Sequence, residues 1–128
     1  RNFAVLNLLW KGIGTYAHDH GARYLIGCSS FTTQDAAVGA AAYQQLQPHL
    51  APPAWQTRPR PEFTCPLNAV ATPAPRIPRL LSAYLALGSP ICGPPALDRE
   101  FTTVDFLTWI DMQAPSVVAM QRRGRFIV

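Results

Sequence analysis

The sequence predicts an α/β domain in which helices flank a small sheet. Apolar side chains recur at helical three- and four-residue spacing in three segments, whereas two other segments carry the patterns of strands. Of the 128 residues, 48% are hydrophobic and 14% are charged, so the chain is too apolar to be disordered. Since so small a sheet cannot bury three helices, we expect the fold to be incomplete, with residues before Arg1 missing.

The first helix is predicted near the N-terminus, and Gly21 stands where a left-handed C-terminal cap belongs. Its apolar positions are Leu6, Leu9, Trp10, Ile13, Tyr16 and Ala17. No phosphate-binding loop is expected at 11–14, because no strand precedes this segment; its glycines would instead let a neighbouring element pack closely. At the helix end, His18 and His20 favour capping or surface roles over a metal site, since alternate helical residues point apart.

Two more helices are predicted from composition and from the residues that bound them. The alanine-rich stretch 35–47 has Thr32 or Thr33 available as its N-cap, and a proline follows it. The third helix has Pro78 in its first turn and Gly88 after its end, which is the usual asymmetry of proline and glycine at helix termini.

Two strands are predicted. The short apolar run 24–28 is typical of a buried strand, and its last residue, Cys28, is followed by two serines. The β-branched and aromatic stretch 101–111 is the clearest strand in the chain. One of its faces carries Val104, Phe106, Thr108 and Ile110, and the other carries Asp105, Leu107, Trp109 and Asp111.

The segment 48–78 holds many of the 13 prolines and is predicted to be a long irregular connection. We expect Trp55, Phe63 and Leu67 to be its anchors in the rest of the domain. A loop of this length in a compact domain is usually functional or covers another part of the protein.

Charge and cysteine content restrict the function only broadly. The net charge of +4 would attract nucleic acid, an acidic protein or an anionic membrane. Cys28, Cys65 and Cys92 are widely spaced, which favours reduced intracellular thiols over a zinc site. No apolar run approaches the ~20 residues that a membrane-spanning helix needs.

Two places in the strands carry polar groups that could do chemistry. Asp105 is a carboxylate in an apolar strand, so it needs an internal partner such as Arg99 or a ligand cation, and an internal pair is favoured. At 28–30, thiol and hydroxyl groups end a strand; lining a ligand site is favoured over nucleophilic catalysis, and a plain core role is equally compatible.

Four ordered segments resemble the ornithine-lipid acyltransferases, the L-ornithine N-alpha-acyltransferases of the GNAT superfamily that are often called hemolysin-like. The segments are LLWKGI at 8–13 with Tyr16, YLIGCSSF at 24–31, HLAPPAW at 49–55, and 81–88 leading into GPPALDREFTTVDF at 93–106. The resemblance implies a GNAT fold, a mixed sheet that opens between its fourth and fifth strands to admit the acyl donor. Residues 1–20 would be the helix after the fourth strand, and 24–28 the fifth strand.

On this mapping, residues 1–128 are the C-terminal part of a single acyltransferase domain whose N-terminal half is missing, so we expect the isolated chain to be inactive. The resemblance implies a bacterial enzyme that transfers a 3-hydroxyacyl group from acyl-carrier protein to the α-amine of ornithine in lyso-ornithine lipid synthesis. Many GNAT members carry [QR]-x-x-G-x-[GA] for pyrophosphate, whereas residues 1–6 keep Arg1 and neither glycine. This departure favours a carrier-protein donor over coenzyme A.

The resemblance also implies where the substrates bind. The acyl donor would contact Arg1, Gly27, Cys28, Ser29 and Ser30. No cofactor and no metal are expected, and no residue is assigned as the catalytic base.

The acceptor brings an ammonium and a carboxylate, for which Asp98, Arg99 and Asp105 are matching partners. The expected location is the cytoplasm, at the periphery of the inner membrane, and nucleic acid is not an expected partner. An anionic membrane could be held by an arginine cluster beside two apolar residues. The residues of this tail are Arg122, Arg123, Arg125, Phe126 and Ile127.

Alternatives from two classes stay open. The first is a related enzyme that makes N-acyl amino acids or acyl-homoserine lactones from the same donor. The second is a non-catalytic piece whose proline-rich loop and basic end bind a carrier protein or a membrane.

Overall fold

The structure is a computed structural model, and it describes residues 3–68 and 73–124. Seven regular elements confirm the α/β class. In chain order they are α1 (Phe3–Asp19), β1 (Tyr24–Phe31), α2 (Ala36–Gln45), α3 (Arg79–Ala86), β2 (Ala96–Asp98), β3 (Thr103–Asp111) and α4 (Pro115–Arg122). The sequence did not predict β2, which is only three residues long, or α4, although Pro115 in a first helical turn is a recognisable start signal.

The sheet has three strands in the order β1-β3-β2, and every neighbouring pair is antiparallel. The central strand, β3, alternates strictly between buried and half-buried residues, as its sequence pattern predicts. The buried face, which we call the core face, carries Val104, Phe106, Thr108 and Ile110. The opposite face, here the outer face, carries the alternating residues of β3 that include Asp105 and Trp109.

The hydrophobic core lies between the core face of the sheet and the helices α2 and α3. Its buried members are Phe31, Ala42, Leu46, Cys65, Leu81, Ile91, Leu97, Val104 and Phe106. Helix α2 approaches the sheet closely at Gly39, where an added Cβ would lie 2.8 Å from the Cys65 sulfur and 3.2 Å from a Val104 methyl. The alanine-rich composition of α2 therefore serves close packing on β3.

Strand β1 is confirmed as a strand, but the prediction that it is buried is wrong. It extends to Phe31, and Ile26 in its middle is 74% exposed. The cause is its place in the sheet, because β1 pairs with β3 on one side and with no other strand among the described residues. An apolar run alone cannot distinguish a central strand from an edge strand.

Helix α1 has the predicted length, but only part of its apolar surface is packed. Ala17 is buried, and the Trp10 ring meets the Tyr84 ring edge-on at 5.7 Å. The predicted positions Leu9 and Tyr16 are exposed instead, as is part of Ile13. A helix that is apolar on two sides packs only the side that meets the rest of the domain.

One of the two glycines within α1 does not have its predicted role. Gly14 is buried, in line with close packing. An added Cβ at Gly12 would instead meet no atom within 4 Å, so this glycine does not serve the approach of a neighbouring element among the described residues.

The predicted glycine caps are confirmed. Gly21 has φ +64°, and the Ala22 N–H donates to the Ala17 carbonyl at 2.8 Å, the long bond of a Schellman motif. Gly88, with φ +84°, ends α3 in the same way. The N-cap of α2 is Asp35 rather than a threonine, because its carboxylate accepts from the Ala37 N–H at 2.9 Å.

The proline-rich connection contains three short 3-10 turns, at Gln47–His49, Pro53–Trp55 and Pro61–Phe63. Of the expected anchors, Phe63 and Leu67 are exposed, whereas Trp55, although 48% exposed, contacts the rings of Tyr24 and Trp109. The buried residues of the connection are small ones, Ala51 and Cys65.

Backbone hydrogen bonds attach the first part of the connection to the segment before β2. The Ala51 N–H donates to the Ile91 carbonyl at 2.8 Å, and the Thr57 N–H to the Cys92 carbonyl at 2.9 Å. Gly93 is required at this crossing, since an added Cβ would lie 2.1 Å from the Thr57 carbonyl oxygen. Backbone hydrogen bonds therefore hold the first part of the connection against the segment before β2.

Candidate functional site

The strand register divides the predicted site residues between the two faces of the sheet. Residues directly opposite in antiparallel strands share a face, and Ser30 lies opposite Asp105 while Cys28 lies opposite Leu107. Asp98 is on the same outer face, opposite Thr103. Gly27 and Ser29 are on the core face, so the five predicted donor residues do not form one side-chain cluster; the first of them, Arg1, lies outside the described residues.

Asp105 is free of the internal ion pair that the sequence favoured. Its Oδ1 atom is buried and has no hydrogen-bond partner, and no salt bridge to it is formed within the described chain. The favoured partner, Arg99, instead donates from Nη1 to the Glu62 carbonyl at 2.9 Å. The ion-pair prediction is wrong because Arg99 lies in the turn after β2 and reaches the proline-rich connection.

A second unsatisfied oxygen lies on the same strand and face as Asp105. The Thr103 Oγ1 atom is also buried and finds no hydrogen-bond partner in residues 3–68 and 73–124, and Thr103 is two residues away from Asp105. Buried polar atoms are normally hydrogen-bonded, so two unpaired oxygens on one face indicate a place for a donor from outside the described chain. Sequence reasoning missed Thr103, although the two-residue alternation of the strand relates it directly to Asp105.

Asp98 has a structural role at the end of β2. Its Oδ1 accepts from the backbone N–H groups of Glu100 and Phe101, both at 3.0 Å. These bonds close the turn in which Thr102 adopts φ +56°. Asp98 therefore shapes the loop that joins β2 to β3, beside the face on which Asp105 lies.

The Cys28 thiol is exposed, and its surroundings disfavour the thiolate. Its pKa is raised above the ordinary value because neighbouring atoms partly desolvate the thiol, and because the charges of Asp105 and Asp98 repel the thiolate. A thiol with a raised pKa stays protonated at neutral pH, which disfavours the nucleophilic role left open above. The raised pKa also shows that the negative charges of Asp105 and Asp98 are close enough to Cys28 to repel its thiolate.

The edge of β1 that faces away from β3 presents backbone groups with which no strand among the described residues pairs. The Leu107 carbonyl accepts from the Cys92 N–H at 2.8 Å, so the Leu107 backbone points away from β1. Its partner Cys28 is then in a non-hydrogen-bonded pair, and the Cys28 N–H and C=O point to the open edge. The same alternation exposes the backbone groups of Ile26 and Ser30, whereas those of Gly27 and Ser29 point toward β3.

An apolar cleft of about 410 Å³ runs beside this edge, between α1, β1 and α3. Its lining residues are Trp10, Ile13, Tyr24, Leu25, Ile26, Gly27, Cys28, Tyr84, Thr108 and Ile110. The volume lies within the ~300–1,000 Å³ typical of small-molecule sites. Of these residues, sequence reasoning assigned only Gly27 and Cys28 to a site; it missed Trp10 and Tyr84, because the contact between them joins helices far apart in the chain.

Three aromatic side chains form a cluster at the other end of the outer face. The Trp55 ring contacts Trp109 at 5.3 Å and Tyr24 at 5.4 Å between centroids, and the Arg23 guanidinium lies 5.0 Å from the Tyr24 centroid. Trp55 thus brings the proline-rich connection over the sheet, which is one of the two roles expected of a loop of this length. The Trp109 indole N–H is buried and has no partner within the described chain.

The histidines at the end of α1 have the predicted capping and surface roles. The His20 Nδ1 lies 2.9 Å from the Tyr16 carbonyl oxygen, to which it donates in the matching tautomer, and the two rings stack at 3.9 Å. Across residues 3–68 and 73–124, no three His, Cys, Asp or Glu side chains come together in a group that could hold a metal ion.

Membrane-related features are limited to the surface. None of the helices in the described part of the chain has both the length and the apolar character needed to cross a bilayer. In the predicted basic tail, Arg122 and Arg123 are exposed at the end of α4, and Arg123 donates to the Ala119 carbonyl at 3.3 Å. The rest of that tail, at 125–127, lies outside the described residues.

Comparison with known proteins identifies a relative. No family model matches the sequence, and no solved structure matches it. The chain is 32% identical over 124 residues to the L-ornithine N(alpha)-acyltransferase of Rhodobacter capsulatus. The alignment covers 91% of this chain and 47% of the relative, so the chain spans about half the length of that protein. The predicted resemblance is therefore confirmed, and the chain is a homologue of an L-ornithine N(alpha)-acyltransferase.

Proposed function

We propose that this chain supplies the acyl-donor edge and the acceptor-binding face of an N-acyltransferase. The reaction would transfer a 3-hydroxyacyl group from acyl-carrier protein to the α-amine of ornithine. The observation that carries the proposal is the open edge of β1. It lies between an apolar cleft and the Asp105 carboxylate, whose Oδ1 has no partner among the described residues, in a chain homologous to an ornithine acyltransferase.

The open edge suits an acyl thioester bound to a protein carrier. The free N–H groups of Cys28 and Ser30 can donate to carbonyl oxygens of an extended arm, as one strand does to the next. The same donors are suited to a developing oxyanion, which backbone N–H groups stabilise without reorganisation. The chain's net charge of +4 would favour an acidic carrier.

The outer face suits the amino-acid acceptor. Asp105, opposite Ser30, offers a carboxylate one strand away from the donor edge, and Thr103 adds a hydroxyl beside it. A substrate ammonium would satisfy both oxygens at once. Arg99 stays a candidate for the substrate carboxylate, since its guanidinium is held on an exposed loop by the Glu62 carbonyl.

The chemistry requires little beyond positioning and a proton acceptor. The neutral α-amine attacks the thioester carbonyl to form a C–N bond, and collapse of the tetrahedral intermediate breaks the C–S bond. The amine loses a proton, and the carrier leaves as its thiol. The α-amine must be deprotonated to attack, and orientation of amine and thioester contributes much of the rate. No residue of this chain is assigned as the base.

The test is a chimera in which residues 1–128 replace the matching segment of the Rhodobacter capsulatus enzyme. With 3-hydroxyacyl-carrier protein and ornithine, we expect N-acylornithine, detected by mass spectrometry. The isolated chain should give none, since no strand among the described residues faces the open edge of β1.

Asp105→Asn in the chimera separates binding from chemistry. We expect a raised KM for ornithine with kcat little changed, because an ammonium contact made equally in ground and transition states affects KM alone. Asp111→Asn is the matched control, since Asp111 is on the same face but is bound to Arg23. A chimera that folds and gives no product, or one that acylates other amines in preference to ornithine, contradicts the proposal.

A further inference from the structure

An aromatic pair forms part of the wall of the apolar cleft. Trp10 of α1 and Tyr84 of α3 meet edge-on, with centroids 5.7 Å apart and planes at 72°. Both rings line the cleft beside β1, together with Ile110 of β3. The pair is held by two helices, so it forms a fixed wall rather than a flexible loop.

A second apolar space lies behind the same wall. It is lined by Trp10, Tyr84 and Ile110 on one side and by residues of α4 and the neighbouring loops on the other, namely Leu87, Met112, Val117 and Met120. Its free volume is about 10 Å³, against about 410 Å³ for the cleft. Methionine side chains adapt readily to new neighbours, so this closed space could admit further atoms if the wall were removed.

We propose that the cleft holds the hydrocarbon chain of the acyl donor and that the Trp10–Tyr84 pair sets the longest chain that fits. This inference rests on the proposed acyl transfer and adds a specificity-determining contact to it. A thioester bound at the backbone of Cys28 would lie beside the cleft, because Cys28 is one of its lining residues. From Cys28 to Leu25, both of which line the cleft, the strand advances about 10 Å, a length along which an extended hydrocarbon chain can lie.

Gly27 offers a way to block the cleft without disturbing the fold. It lies on the core face within the cleft, and an added Cβ meets no atom within 4 Å. Gly27→Phe therefore places a ring in the space assigned to the hydrocarbon. Tyr84→Ala instead enlarges the cleft, since it removes one of the two rings of the aromatic pair.

The experiment measures binding of unbranched fatty acids to the full chain, by displacement of a dansyl-labelled fatty acid. Affinity should rise about fourfold for each added methylene and then stay constant once the chain reaches the wall. Gly27→Phe should weaken binding of every length at least tenfold, and Tyr84→Ala should move the plateau to longer chains. The matched control is Tyr16→Ala, which truncates an exposed tyrosine outside the cleft and should change neither result.

The outcomes separate this inference from the proposed function, because the assay needs no turnover. Affinity that rises without a plateau, or that Gly27→Phe leaves unchanged, overturns the inference. If Tyr16→Ala moves the plateau to longer chains as much as Tyr84→Ala does, the inference is also overturned. If circular dichroism shows that the Tyr84→Ala variant does not fold, the binding measurements on Gly27→Phe still test the inference. A chimera that transfers acyl groups but keeps its donor-length preference with Tyr84→Ala overturns the inference and leaves the transferase proposal standing.

Discussion

Replacing Asp105 by asparagine tests directly whether this carboxylate serves the fold or a ligand. If Asp105 belonged to a buried ion pair, its loss would cost about 3–5 kcal/mol of unfolding free energy. In the structure its Oδ1 has no partner, and Arg99 is bound to the Glu62 carbonyl instead. Asparagine keeps the shape and removes a charge that nothing in the described chain compensates. We therefore expect the unfolding free energy to change by less than about 1 kcal/mol.

Urea unfolding followed by tryptophan fluorescence measures this change. With a slope of roughly 1–3 kcal/mol per molar urea for small proteins, a loss of about 4 kcal/mol would move the midpoint by more than 1 M. We expect a shift well below that. A variant destabilised by 3 kcal/mol or more would contradict the structure and make Asp105 a structural residue.

The thiol of Cys28 provides a second, independent readout of the same substitution. Desolvation and then the charges of Asp105 and Asp98 hold its pKa above the ordinary value. Asp105→Asn should lower that pKa, although not to the ordinary value, since desolvation remains. The pH dependence of iodoacetamide alkylation measures it, because Cys65 and Cys92 are buried. An alkylation profile identical to that of the parent chain would refute the assigned geometry.

Three further predictions concern stability. Gly93→Ala should destabilise the chain by about 2–4 kcal/mol in urea unfolding, because its Cβ would overlap the Thr57 carbonyl oxygen; an unchanged midpoint would contradict the crossing. The hydrogen bonds that Arg23 donates to Asp111 lower the pKa of this carboxyl in the folded state. The pair therefore stabilises the fold fully above about pH 3.9, the pKa of an unfolded aspartate, and this stabilisation is lost as the pH falls through the lower folded-state pKa. The melting temperature of the Asp111→Asn variant should then be lower than that of the parent chain at neutral pH, and the two melting temperatures should become equal in acid. Gly12→Ala, in an exposed and unobstructed helix interior, should raise stability by about 0.5–1 kcal/mol, and a loss would mean that another element contacts this position.

The features that could be predicted from the sequence are those that depend on residues close together in the chain. The α/β class, the ends of α1 and α3 at Gly21 and Gly88, and the alternation along β3 follow from backbone conformation and side-chain period. Each is a property of a few consecutive residues, so it can be read without a fold. The homology could also be recognised from the sequence, since the chain is 32% identical over 124 residues to the Rhodobacter capsulatus enzyme.

Other features depend on contacts between distant segments. The burial of β1 was predicted wrongly because an apolar run has the same sequence pattern at the edge of a sheet as at its centre. Local composition likewise made Phe63 and Leu67 anchors, although both are exposed, and the small residues Ala51 and Cys65 are buried instead.

The candidate site shows the same division. Asp105 could be singled out from the sequence as a carboxylate in an apolar strand, which is a local observation. Whether it has a partner depends on where Arg99 points, and that is set by a contact with Glu62, 37 residues away. The cleft depends on Trp10 meeting Tyr84 across two helices. Side-chain period and backbone conformation are local and so are determined by the sequence alone, whereas pairing, burial and enclosure arise only when distant segments meet in the tertiary structure.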